Sequence, residues 1–285
     1  MKRVPIDLDD VRRHVIVALA ADDELGELLV LKGGNALRLV HGIGSRASLD
    51  LDYSIEADLS DAGAIRTRIE RALVRDFSSI GYSVFDVRIA QKPDIPEDQD
   101  QRPTWGGWAV EFKLIDAQKF DKFTGHPGKL RDYSLELYGH KKSFQIDISK
   151  YEYVGSAQAV PFHGYSLRVY SPAMIVFEKL RALCQQMKDY PYVSHPSPRP
   201  RDFVDICAAL DADEGAVLAE SAIIRMVFAA KEVPLSFLGQ LAQEMAFHQQ
   251  GWPSVSAEIT GSPPFSQYFE RVIAFVERLQ ALGVV

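Results

Sequence analysis

The sequence predicts an α+β protein in two parts: a half that mixes strands with helices over 1–170, and an all-helical half over 171–285. Three observations carry that prediction. Runs that alternate apolar and polar residues, the strand period, occur at 49–53, 82–89, 108–115 and 143–149 and do not recur after about 170. Beyond Ser171-Pro172, apolar residues repeat only at the helical spacing of three and four. Ser171-Pro172 is itself a strong helix start, a capping hydroxyl followed by a proline in the first turn.

Taken in order, 8–21 reads as a helix with acidic residues early, and 28–31 as a short apolar run before a Gly33-Gly34 turn. Residues 35–40 look helical. A loop through Gly42, Gly44 and Ser45 then leads to a strand bearing Asp50 and Asp52. Ser60 is placed to cap a helix reaching about 79, with Ile65, Ile69, Leu73 and Phe77 on one face. The strands at 82–89 and 108–115 pair across a polar, proline-rich loop at 91–107. The stretch 118–142 is the most basic of the chain, with Lys119, Lys122, Lys129, Arg131, Lys141 and Lys142. In 143–149, Phe144, Ile146 and Ile148 share one face while Gln145, Asp147 and Ser149 share the other. A last strand is expected at 167–170. Helices follow at 172–188, 201–210, 214–230, 235–249 and 265–282, with a proline-rich loop at 190–200.

Composition bounds the function. The chain has 285 residues, 47% hydrophobic and 25% charged, with a net charge of -7. That balance carries no global basic footprint, so any nucleic-acid contact falls to a local patch such as 118–142. Cys184 and Cys207 sit in apolar helical patterns and read as reduced core thiols, the usage of a cytoplasmic protein. No apolar run resembles a signal peptide or reaches the roughly 20 residues that span a bilayer, so no membrane association is expected. The histidines have no zinc-ligand spacing, and neither a P-loop nor a G-x-S-x-G nucleophile turn occurs.

Four groups of residues point to chemistry. Asp50 and Asp52, two apart on a strand, project side by side, and Asp147 lies on the polar face of another strand. If those strands are neighbours, three carboxylates converge. Their repulsion calls for divalent cations, the arrangement of two-metal phosphoryl chemistry. Lys32-Gly33-Gly34-Asn35 ahead of a helix offers free backbone N–H groups to an anion. Lys179, off the apolar stripe of Val176, Leu180, Leu183, Cys184 and Met187, supplies a compact cation. Asp202 and Asp205, three apart, share a helix face after the proline loop. Each piece alone has an ordinary reading as solvent-facing acids, a tight turn, a surface lysine or helix-dipole partners.

Together these residues resemble a known family. Lys32-Gly33-Gly34-Asn35-Ala36-Leu37 followed by Arg46-Ala47-Ser48-Leu49-Asp50-Leu51-Asp52 is similar to the signature of the AbiEii/AbiGii toxins, which include the MenT-type toxins. These are a branch of the DNA polymerase β-like nucleotidyltransferases. The likeness continues through Asp147, Glu178-Lys179-Leu180-Arg181-Ala182-Leu183 and Arg199-Pro200-Arg201-Asp202, in the family's order. Arg201 stands where the family often has lysine, which keeps the charge and changes its hydrogen-bond geometry.

The resemblance implies a nucleotidyltransferase core followed by a helical half. It implies transfer of a nucleoside monophosphate from an NTP, with Mg²⁺ or Mn²⁺, most often to the 3′ end of tRNA. It also implies a cognate antitoxin, commonly of winged-helix type. On that footing Gly33, Gly34, Arg46, Ser48 and Arg201 hold the nucleotide, and Asp50, Asp52 and Asp147 the metal. Lys179 neutralises phosphate charge, and Asp202 orients Lys179 or the nucleotide. Two alternatives stay open: a protein or small-molecule acceptor, and an inactive nucleotide-binding regulator.

Overall fold

The computed structural model describes residues 6–44, 50–93, 106–136, 141–193, 195–259 and 261–285. The protein is built on one mixed seven-stranded sheet, ordered β3-β4-β5-β2-β1-β7-β6. The strands are β1 (Val30–Lys32), β2 (Leu51–Ser54), β3 (Tyr82–Lys92), β4 (Gly107–Asp116), β5 (Phe144–Ser149), β6 (Gln158–Phe162) and β7 (Tyr165–Val169). β3 and β4 pair antiparallel, as their alternation predicts. β5 runs antiparallel to β4 and parallel to β2, and β1 runs antiparallel to β2 and parallel to β7.

Alternation decides which face is which. Leu51 pairs with Ile146 and Tyr53 with Ile148, while Val110 and Phe112 pair with Ile146 and Phe144. That apolar face is covered by α1 (Leu8–Ala20) and α4 (Ala62–Ser79), between which come the short helices α2 (Asp23–Leu28) and α3 (Gly33–Asn35). Ile65, Ile69, Leu73 and Phe77 of α4 are all buried, and Phe77 meets Phe112 at a ring distance of 6.3 Å. The cap of α4 is Asp61 rather than Ser60: its side chain accepts from the Ala64 N–H at 2.9 Å. Asp61 is the residue with extended backbone immediately before the helix, which is where a capping side chain must sit.

β6 was not expected. Its five residues include Pro161 and are mostly exposed, so no alternation marks it. Proline is tolerated there because β6 is an edge strand and pairs only with β7. The basic stretch holds two short helices, α5 (Ala117–Phe123) and α6 (Pro127–Asp132), neither with a buried residue.

After β7 the Tyr170 N–H still bonds Leu31 O at 2.9 Å, and Ser171 then caps α7 (Pro172–Cys184) by accepting from the Met174 N–H. The helix starts where expected, beside β1, but ends at Cys184 rather than 188. α8 (Pro200–Ala219) carries a break at Asp213, whose extended backbone and capping side chain (2.8 Å from the Ala216 N–H) restart the helix. The remaining helices are shorter than their periodicity suggests. The region 214–230 divides at a 3₁₀ turn, Ser221–Ile223, before α9 (Ile224–Ala229). The region 235–249 is a 3₁₀ segment, Leu235–Gln243, followed by α10 (Met245–Gln249). α11 (Trp252–Ser256) is an addition, and α12 (Phe265–Ala281) matches its pattern. Phe203 of α8 anchors this half against Phe265 and Phe269, at 5.2 and 5.4 Å.

Candidate active site

The polar face of the sheet opens into a cleft of about 1240 Å³, roofed by residues of the helical half. Strand register builds its centre. Lys32 is the partner of Asp52, and Asp52 is the partner of Asp147. These three side chains therefore form one row across β1, β2 and β5, on strands about 4.8 Å apart. Asp50 sits just before β2, which begins at Leu51, so it belongs to the entry of the strand rather than to its ladder. Asn35 fixes that entry: its Nδ2 donates to the Asp50 carbonyl at 2.7 Å.

Gly33 opens the turn after β1 with φ of 75°, in the left-handed region. A Cβ at this position would lie 2.7 Å from Asp52 Oδ2. Glycine is thus required twice, by the backbone and by the carboxylate packed on it. We expect Gly33→Ala to lower stability by about 1–3 kcal/mol from strain and to displace Asp52. Urea unfolding together with a Mn²⁺ titration checks both; wild-type values in each would remove this role.

Burial, opposed by Lys32 and reinforced by Asp147 and Glu178, pushes the Asp52 carboxyl up to about 7. Asp50 is also raised, by burial first and the charge of Asp147 second. Asp147 has its own partners: Gln145 Nε2 donates to both oxygens at 2.8 and 2.7 Å, and Lys92 Nζ lies 3.1 Å from Oδ1. The donor set fits a divalent cation in kind, because these carboxylates bear repulsion and desolvation that a cation relieves. Among the described residues no three ligating side chains are already gathered about one point.

The opposite wall is a buried ionic cluster. Lys179 Nζ lies 2.8 Å from both Asp202 Oδ1 and Asp205 Oδ2, and Arg199 Nε bonds the other oxygen of Asp202. Burial alone would depress Lys179, but Asp202 and Asp205 outweigh it and hold the ammonium above its usual range. Burial would likewise raise Asp202, yet Arg199 and Lys179 keep its carboxyl well below normal. Lys179 is therefore not a surface lysine. Arg201 also lines the cleft, but it is exposed and pairs with Glu258. The cation that reaches Asp202 beside Lys179 is Arg199.

The floor is a second cluster. Lys32 Nζ lies 3.5 Å from Glu152 and from Glu178, and Arg181 Nη2 lies 3.1 Å from the same two carboxylates. Lys231 joins from the segment after α9, 3.6 Å from Glu152, and donates to the Lys150 carbonyl.

The cleft thus brings together Gly33, Gly34, Asp50, Asp52, Asp147, Lys179, Arg201 and Asp202. Arg46 and Ser48 lie outside the described residues. Sequence reasoning missed Glu152 and Lys231 as cleft residues. Glu152 follows a strand end, where an acid is unremarkable, and Lys231 sits in a short link whose sequence carries no motif.

The family model for the nucleotidyl transferase AbiEii toxin of type IV toxin–antitoxin systems matches residues 15–271. The chain belongs to the AbiEii family. It is therefore a member of a toxin–antitoxin nucleotidyltransferase family, which implies an NTP substrate, a divalent metal and an antitoxin partner. Among solved structures, JHP933 from Helicobacter pylori shares the fold at 15% identity, over 96% of this chain and 90% of that one, with a TM-score of 0.51. An antigenic nucleotidyltransferase-like protein from Paracoccidioides brasiliensis is 15% identical over 90% and 94% of the two chains, with a TM-score of 0.39. No curated protein matches the chain. No helix among the described residues of this AbiEii member is long and apolar enough to cross a membrane.

Proposed function

We propose that this AbiEii-family protein transfers a nucleoside monophosphate from an NTP to an acceptor hydroxyl, with the 3′ end of tRNA as the acceptor. The register of Asp52 with Asp147, on one polar face beside a glycine turn, is the observation that carries the reading. Asp50, Asp52 and Asp147 would hold Mg²⁺ or Mn²⁺, which when bound supplies positive charge at the reacting phosphoryl group. Backbone N–H groups of Gly33 and Gly34, with Arg46 and Ser48, bind the triphosphate. Asp147 takes the proton of the acceptor hydroxyl as its oxygen attacks the α-phosphorus, and pyrophosphate leaves. Lys179 sets a fixed positive potential over the phosphates, oriented by Asp202, and Arg201 meets the nucleotide at the rim.

One feature favours RNA over a small acceptor. Helices α5 and α6 present Lys119, Lys122, Lys129 and Arg131 on an exposed surface, with Phe123 and Tyr133 stacked at 4.7 Å. They follow the end of β4 remote from Gly107, which lines the cleft. Ten strand residues place that surface roughly 30 Å from the cleft, so an acceptor touching both is long. The reading also takes the antitoxin as a winged-helix protein, the compartment as cytoplasmic, and the chain as a core domain (1–170) plus a helical domain (171–285).

The test is incubation with each labelled NTP, Mg²⁺ and total tRNA. Label is expected on RNA with wild type and not with Asp50→Ala. Absence of transfer with every NTP, or full transfer by Asp50→Ala, sinks the reading. Label that survives RNase but not protease replaces RNA with a protein acceptor. Calorimetric NTP binding without turnover makes the protein a regulator.

A further inference from the structure

Gln145 lies on the polar face of β5, two residues before Asp147. Its amide turns along the strand to that carboxylate: Nε2 is 2.8 Å from Asp147 Oδ1 and 2.7 Å from Oδ2. An atom so nearly equidistant from both oxygens sits on the bisector of the carboxylate, between the lone pairs that converge on that side. A cation held by both oxygens at once would occupy the same place, at roughly 2.3–2.6 Å for Ca²⁺. The amide of Gln145 therefore covers the chelating side of Asp147. Lys92 makes a different kind of contact, with its Nζ 3.1 Å from Oδ1. Lys92 is exposed and cationic, so an arriving metal ion repels it into solvent, whereas Gln145 is neutral and half-buried.

The number of oxygens a carboxylate lends separates the hard cations. Ca²⁺ takes about six to eight oxygens in flexible geometry and readily accepts both from one carboxylate. Mg²⁺ demands a near-regular octahedron, whose right angles the narrow bite of a single carboxylate fits poorly, and Mn²⁺ accepts the same octahedral oxygen set. With Gln145 in place, chelation by Asp147 requires breaking a hydrogen bond to a charged acceptor, while coordination through one oxygen does not. We propose that Gln145 sets the metal preference of the cleft: it holds Asp147 to one-oxygen coordination and so favours Mg²⁺ and Mn²⁺ over Ca²⁺. The inference rests on reading Asp50, Asp52 and Asp147 as the metal carboxylates, not on the reaction they serve. It also suits the second task given to Asp147. A chelated Asp147 would spend both oxygens on the cation, whereas one-oxygen coordination leaves the other to accept the proton of the acceptor hydroxyl. Gln145 is thus a positioning residue, acting through Asp147.

Metal binding without nucleotide tests this. The free Mn²⁺ signal in electron paramagnetic resonance measures Mn²⁺ affinity, and Mg²⁺ and Ca²⁺ are measured by competition against it. Gln145→Met removes the donor and keeps the length of the side chain; Gln145→Asn shortens the arm by one methylene and serves if the Met variant fails to fold. Either is expected to shift the ratio of Ca²⁺ to Mn²⁺ affinity toward Ca²⁺ by about tenfold or more, the scale of one hydrogen bond to a charged group. Mg²⁺ should follow Mn²⁺. Lys92→Met is the control: it removes a competing cation, so all three ions should bind more tightly with the ratio held within about twofold. Thermal melts of the metal-free proteins check folding, and a purely structural Gln145 would lower the melt without moving the ratio. A wild-type ratio in a folded Gln145 variant, or a wild type that binds Ca²⁺ as tightly as Mn²⁺, overturns the inference. Absence of divalent binding by wild type, alone and with each NTP, overturns the metal reading and the inference with it. A shifted ratio without nucleotidyl transfer from any NTP would overturn the transfer reading and leave the role of Gln145 standing. Transfer with an unmoved ratio would do the reverse.

Discussion

Replacing Asp52 with asparagine is expected to stop transfer and, at the same time, to make the metal-free protein more stable. Asp52 lies between Lys32 and Asp147 in the strand row, and burial raises its carboxyl from 3.8 to about 7. Between those values the folded protein keeps a proton that the unfolded chain has released. Stability therefore falls as pH rises from about 4 to 7, and the loss is complete above the folded value. Each unit of the rise corresponds to about 1.4 kcal/mol, and water in the cleft holds the penalty to the order of 2 kcal/mol. Asparagine keeps the shape and has no charge to penalise. Urea unfolding at pH 5 and pH 8 should show wild type losing stability between the two, and Asp52→Asn losing less. A saturating divalent cation should restore wild type at pH 8 and leave the variant unchanged. The same substitution should cost on the order of a hundred- to thousandfold in transfer, the scale of a lost electrostatic contact to a transition state. A variant less stable than wild type at pH 8, or one that still transfers, would show that Asp52 is a structural acid.

How much of this was legible varies with the physics. Phe144, Ile146 and Ile148 against Gln145, Asp147 and Ser149 gave a strand and its faces, because a half-buried strand must alternate. The pairing of β1 with β7, which puts α7 over the glycine turn, joins residues about 138 apart in sequence and leaves no local trace. In 235–243 the apolar residues Leu235, Leu238 and Leu241 repeat every three, the 3₁₀ period, and an α-helical reading of them is a period misread. Arg46 and Ser48 belong to the motif and lie outside the described residues. Arg199 and Arg201 illustrate a different limit. α8 starts at Pro200, so Arg199 precedes the first turn and bends in to Asp202, while Arg201 points to Glu258. Two arginines in one motif cannot be told apart until the helix start is fixed. Lys179 lies off the apolar stripe and is buried all the same: Ala173, Met174, Ile175, Val176 and Phe177 are all buried, so α7 is enclosed on nearly every side and its Lys179 and Arg181 are buried with it.

That burial sets the second large effect. Lys179→Met is expected to cost about 3–5 kcal/mol of stability, the usual price of breaking a buried pair by removing one partner, rather than leaving the fold intact as a surface lysine would. Asp202 and Asp205 would remain buried without the ammonium that now touches both. Because Lys179 belongs to α7 and the two acids to α8, the cluster also fixes how these helices meet over the cleft. Adding Asp202→Asn to Lys179→Met removes one of the stranded charges, so the double variant should be more stable than the sum of the single losses predicts. Urea unfolding of the four proteins measures that coupling; a Lys179→Met within about 1 kcal/mol of wild type would return the lysine to an ordinary solvated face. Activity then needs a variant that keeps the charge. Lys179→Arg retains the ion pairs in a larger, planar head that cannot sit between both acids in the same geometry. If Lys179 acts only by holding α7 against α8, Lys179→Arg should regain stability and transfer together. If its ammonium also sets the potential at the phosphates, stability should return while transfer stays low. Those two outcomes separate a lysine that builds the cleft from one that also works in it.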